Sequence, residues 1–164
     1  MGSPYQVQDA LVPITIYVDL SDPSSPRVLS EAEETKLDKE KLPNAIKAET
    51  AHWRRPNWTL STLISSNSYT ETFDGHQKFD LTRFAMSRVR CLLVDWSLKD
   101  GNPELTLEKI SPPEMPMINM LSDKSMRLLG TIHAPIIDAF YVRAMKKLYP
   151  EKEEPLINKE TVGN

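Results

Sequence analysis

Asp80–Gly101 reads DLTRFAMSRVRCLLVDWSLKDG, and the way this stretch folds decides what kind of core the chain builds. Asp80 is placed to cap a helix, its carboxylate accepting a hydrogen bond from a first-turn N–H. Leu81, Ala85, Val89, Leu92 and Trp96 then follow at spacings of four, four, three and four, which is the apolar stripe of an amphipathic helix. Phe84 and Leu93 widen the stripe, and Arg83, Ser87, Arg90 and Ser97 fall opposite it. Lys99 gives a basic last turn and Asp100-Gly101 a stop. The spacing predicts one helix near 80–98 with its arginines mostly on the wet face. Cys91 lies beside the stripe. Arg88 and Arg90 would favour its thiolate, but no histidine stands nearby to act as a base. It is therefore read as a small core residue, buried and inert.

Downstream, NPELTLEKISPPEMPM is a proline-rich crossing with one helical turn at 105–110, and Met115, Met117 and Met120 cluster around its end. Those methionines read first as core gap-fillers and second as an adaptable surface. From Asp123 a last helical stripe runs through Leu129, Ile132, Ile136, Phe140, Ala144 and Leu148 to Tyr149. Pro135 is expected to kink it. Upstream, Asn57 caps a helix over 58–66 carrying Leu60, Leu63 and Ile64. TFDGHQKF at 72–79 is a turn about Asp74-Gly75, either a hairpin or an irregular loop. Ser30 with Glu33 forms a capping-box pattern for a short, solvated helix.

The best strand is LVPITIYVDL at 11–20, where Ile14, Ile16 and Val18 alternate with Thr15 and Tyr17. Pro13 near its start suits an edge strand. The expected fold is thus an α-rich α+β domain. An N-terminal edge strand at 13–20 precedes a small helical domain, with helices near 58–66, 80–98 and 123–149, the long C-terminal one kinked near Pro135. The expected organisation is an arm at 1–12, a single globular domain at 13–149 and a polar tail at 150–164.

Composition narrows the function. The chain has 164 residues and a formal net charge of −3, without the basic surplus of a general nucleic-acid binder. No apolar run approaches the ~18 residues that span a bilayer. The start, MGSPYQVQDALVP, lacks a basic and apolar leader, and one cysteine implies no internal disulfide. A cytosolic setting is expected, with no membrane and no nucleic acid as partner. His52, His76 and His133 have no zinc-ligand spacing, and no phosphate loop, nucleophile elbow or dinucleotide fingerprint is present. No catalytic residue, metal or cofactor is expected; the competing possibility is an enzyme whose site converges only in three dimensions.

The run Trp53-Arg54-Arg55-Pro56-Asn57-Trp58 is the main partner-binding candidate, because tryptophan and arginine dominate interface hot spots. Its competitor is that both tryptophans pin the chain to its own core. Thirteen prolines against five glycines favour stiff, extended connections. Residues 1–12 and 150–164 have no core pattern and are expected to act as ties between subunits, with Tyr5 and Val7 as small anchors.

The order Trp96, Asp100-Gly101, Leu105-Thr106, Glu108 and Ile110, between two helical stripes, resembles small tail-assembly-region proteins of tailed bacteriophages. The resemblance covers roughly residues 78–140. The SPPEMP segment and the N-terminal arm with its strand depart from the family's pattern. The resemblance carries no catalytic residue. It implies a non-enzymatic protein–protein interaction protein, oligomeric or part of a multi-protein assembly. Two roles fit: a structural component of the virion's tail or neck region, assembled in the host cytoplasm, or an assembly chaperone absent from the mature particle.

Overall fold

The structure is a computed structural model that describes residues 2–150. In chain order these form β1 (Val12–Asp19), β2 (Arg27–Val28), α1 (Glu31–Glu34), β3 (Ile46–Trp53), α2 (Trp58–Ser66), β4 (Tyr69–Glu71), β5 (Gln77–Phe79), α3 (Leu81–Leu92) and β6 (Leu93–Trp96). Two 3-10 turns, Ser97–Lys99 and Pro103–Leu105, lead to β7 (Lys109–Ile110), β8 (Met120–Leu121), α4 (Asp123–Leu129) and α5 (Ala134–Leu148). Of the tail expected at 150–164, all but Pro150 lies outside the described residues.

The α-rich expectation is corrected. The organising element is a four-stranded sheet in the order β2-β1-β3-β6, every pairing antiparallel. β1 lies between two strands instead of at an edge. β3 runs along its whole length, from Val12 opposite Trp53 to Asp19 opposite Ile46, and β2 pairs with its last two residues. The Tyr17 carbonyl accepts from Leu29 N–H on the β2 side (2.8 Å). Odd positions of β1 therefore turn their backbone groups away from β3, and Pro13 is one of them. The N–H that proline lacks falls where β2 does not reach, so no ladder bond is lost.

Even positions of β1 (Val12, Ile14, Ile16 and Val18) form one buried face. They join Ala51 and Trp53 of β3, Leu93 and Trp96 of β6, and Val89 and Leu92 of α3 in a single cluster. α5 closes it with Ile136, Phe140, Ala144 and Leu148, four residues apart and hence on one helical face.

The predicted helix over 80–98 stops at Leu92. Asp80 caps it as expected, accepting from the N–H groups of Thr82 and Arg83. Leu93 is extended (φ −74°, ψ 128°), and the chain pairs with β3, Ala51 opposite Trp96. Leu92's carbonyl accepts from Arg54 N–H (2.7 Å) instead of continuing the helix. An open second edge on β3 outweighs the helical spacing. The stripe is corrected with it: Leu81 is exposed, whereas Val89, Leu92 and Trp96 are buried. The wet arginine face is corrected in part: Arg83 is exposed as expected, but the other arginines are engaged. Arg90 bonds Leu121's carbonyl (2.9 Å) and Asp123 (2.7 Å), and Arg88 lies between the Phe84 and Tyr149 rings (3.9 and 4.4 Å to the centroids).

The long kinked helix is corrected too. α4 ends at Leu129 and α5 begins at Ala134. Pro135 stands in the first turn of α5, where its missing N–H would have had no helical acceptor. It starts a helix; it does not bend one.

Candidate interaction surfaces

The two tryptophans of the 53–58 run separate. Trp53 ends β3 inside the core, 1% exposed, and its indole N–H has no hydrogen-bond partner among the described residues. It is unavailable to a partner. Trp58 opens α2, capped by Asn57, whose side chain accepts from Leu60 N–H (2.8 Å). α2 buries Leu60 and Ile64. Trp58 precedes Leu60 by two positions, about 200° around the helix, and so faces outward at 81% exposure. Arg54 is held by the chain itself, donating to the carbonyls of Asn119 and Cys91. Arg55 is exposed.

Met117, 75% exposed, borders a cavity of about 340 Å³ together with Arg54, Asn57, Thr59, Leu60 and Ile118. Trp58 itself is not part of that lining, which is mixed polar and apolar. Tyr5 and Val7 are exposed on the arm, where Ser3 and Gln6 close a turn. The six candidate residues do not converge on one site: Trp53 is core, Arg54 is a brace, Arg55 and Trp58 are exposed beside the start of α2, and Tyr5 and Val7 lie on the arm.

A surface the sequence reading left undecided is a defined hairpin. β4 and β5 pair Tyr69 with Phe79 and Glu71 with Gln77. Gly75 takes φ +84°, a conformation that favours glycine. Thr72 N–H donates to His76's carbonyl (2.6 Å) and Gly75 N–H to Thr72's (2.9 Å). The Thr72 hydroxyl, then the His76 backbone N–H, hold the Asp74 carboxyl below the usual carboxylate range. Phe73 at the tip is fully exposed. The signal was an aromatic residue in a turn, where small polar residues normally serve.

Cys91 is 2% exposed. Burial pushes its thiol pKa up, with Arg90 and Arg54 pulling partly back. Native-state labelling by a small thiol reagent is expected to be slower than labelling of the unfolded chain by about two orders of magnitude or more, because it waits on local opening. Equal rates would revive a reactive role. Among the described residues, no three His, Cys, Asp or Glu side chains are grouped to hold a metal ion, and no helix is long and apolar enough to cross a membrane.

Comparison with known proteins adds no relative: no family model, curated protein or solved structure matches the chain.

Proposed function

We propose that the protein is a non-enzymatic interaction component of a tailed bacteriophage, retained in the virion's tail or neck region. The observation that carries the interaction reading is Trp58, a large aromatic exposed at 81% at the capped start of α2. A rigid, amphipathic side chain of this kind loses little entropy on docking and offers much area. The phage assignment rests on the sequence resemblance over residues 78–140. Trp96, one of its residues, closes a strand and not a helix, so the likeness is one of residue order. The arm with Tyr5 and Val7 serves as a tie to a neighbouring subunit.

Quantitative mass spectrometry of purified particles tests this. A fixed stoichiometric copy number per particle is expected. Detection in infected cells with absence from finished particles would replace the structural role with that of an assembly chaperone. Absence from both would end the phage reading.

A further inference from the structure

Phe73 is not a single stray apolar residue. Tyr69, Phe79 and Leu81 are also exposed along the same hairpin and its exit. The stem rings are already engaged with one another: Tyr69 meets Phe79 edge-on (centroids 5.5 Å apart, 75°), and Phe79 meets Phe84 (5.3 Å). Phe73 stands beyond them on an ordered turn, flanked by the exposed carboxylates of Glu71 and Asp74. Asp74's carboxyl is held ionised at neutral pH by the Thr72 and His76 bonds. The tip is an aromatic knob with two negative charges.

A hollow of about 710 Å³ between α3 and α4 has the opposite character. Met86 of α3 and Met126 of α4 give it an apolar lining, and Arg83, Arg90, Asp123 and Arg127 surround them. Arg90 and Asp123 neutralise each other (2.7 Å). Arg83 and Arg127 are exposed and form no ion pair with a described residue, so the hollow keeps two uncompensated positive charges. Methionine is a favourable and adaptable neighbour for an aromatic ring. Asn67, two residues before β4, also borders the hollow, so the hairpin rises from its rim.

We propose that a second copy of this chain fills this hollow with its hairpin tip, Phe73 entering between Met86 and Met126 while Glu71 and Asp74 meet Arg83 and Arg127. Because the hairpin is rooted at Asn67 on the hollow's rim, a two-fold axis beside Asn67 would exchange both tips at once and close the assembly as a dimer. This deepens the assembly reading above without requiring virion membership: the particle experiment and the one below fail independently.

Sedimentation equilibrium of the full chain at moderate salt, about 0.1 M so that charges are not fully screened, is expected to show a reversible monomer–dimer equilibrium. Phe73→Asp should weaken it by about 30-fold or more, the worth of one buried phenylalanine, while the melting temperature measured at concentrations where both chains are monomeric stays unchanged, because the ring touches no core. Arg127→Glu should also weaken it, and adding Glu71→Arg should recover most of the loss. A wild-type chain that stays monomeric at about 100 μM, a level at which even modest interfaces associate, overturns the proposal. So does a dimer indifferent to Phe73→Asp, or one that Phe73→Asp breaks but Arg127→Glu does not, since the tip would then dock elsewhere.

Discussion

Replacing Arg143 with alanine is expected to destabilise the protein by about 3 kcal/mol, the cost of breaking a largely buried ion pair. Arg143 reaches from α5 across the end of the sheet. Its guanidinium pairs with Glu34 of α1 and donates to the carbonyls of Thr15 (3.2 Å) and Leu29 (3.0 Å). The two side chains are only 15% and 14% exposed. Truncation leaves Glu34's largely buried carboxylate without its partner, and leaves unfilled the Thr15 carbonyl on the stretch of β1 that β2 does not cover. Those unmet groups carry most of the loss. The paired change Arg143→Met with Glu34→Met removes both charges together, and should recover more than half of it. Urea unfolding of the three variants measures the set. A loss below about 1 kcal/mol for Arg143→Ala would mean that the pair behaves as an ordinary surface bridge.

That brace links α1, β1 and α5 across more than a hundred residues of chain (|i−j| = 109), and no local pattern announces it. What the sequence discloses is what three or four adjacent residues can settle by themselves. Asn57 and Asp80 cap helices. Ser30 and Glu33 close a reciprocal box, the Glu33 carboxyl held at about 2 by Arg27 first and then by Ser30's N–H. The even face of β1 is equally legible, since period-two burial of β-branched residues has few other readings.

β3 was not legible because its face is half polar. Glu49 stands directly opposite Ile16 and is buried, tolerated because Ser97, 48 positions away, donates to it (2.7 Å). Leu92 and Trp96 satisfied the helical spacing of four by coincidence; the strand exists because β3 offers an edge, and only the tertiary fold contains that fact. Trp53 and Trp58 show the same limit for function. Five positions and similar neighbours separate them, yet one ends a strand inside the core and the other begins a helix facing water. Composition nominates a hot spot, but the element boundary between the two residues decides which of them a partner can reach.

The second large effect tests that misread strand directly. Trp96→Ala is expected to cost about 3–5 kcal/mol, the range for emptying a buried tryptophan site. Trp96 is 1% exposed and sits opposite Ala51, so a small residue faces it across the sheet and little bulk is available to collapse into the space. Its indole N–H also donates to Leu105's carbonyl (2.7 Å), fastening the Pro103–Leu105 turn to the sheet edge. Trp96→Phe keeps most of the ring and loses the donor, and should cost about 1–2 kcal/mol, a hydrogen bond with a partial cavity. For a domain whose total stability is of the order of 5–15 kcal/mol, the alanine variant should melt roughly 10 °C lower. Native-state hydrogen exchange distinguishes the strand from a continued helix. In the wild type, the Arg54 amide bonded to Leu92 should be protected, and Trp96→Ala should release it together with the β6 amides. Protection of residues 93–98 that survives Trp96→Ala, alongside an Arg54 amide that exchanges freely in the wild type, would restore the single helix over 80–98 and remove the fourth strand from the sheet.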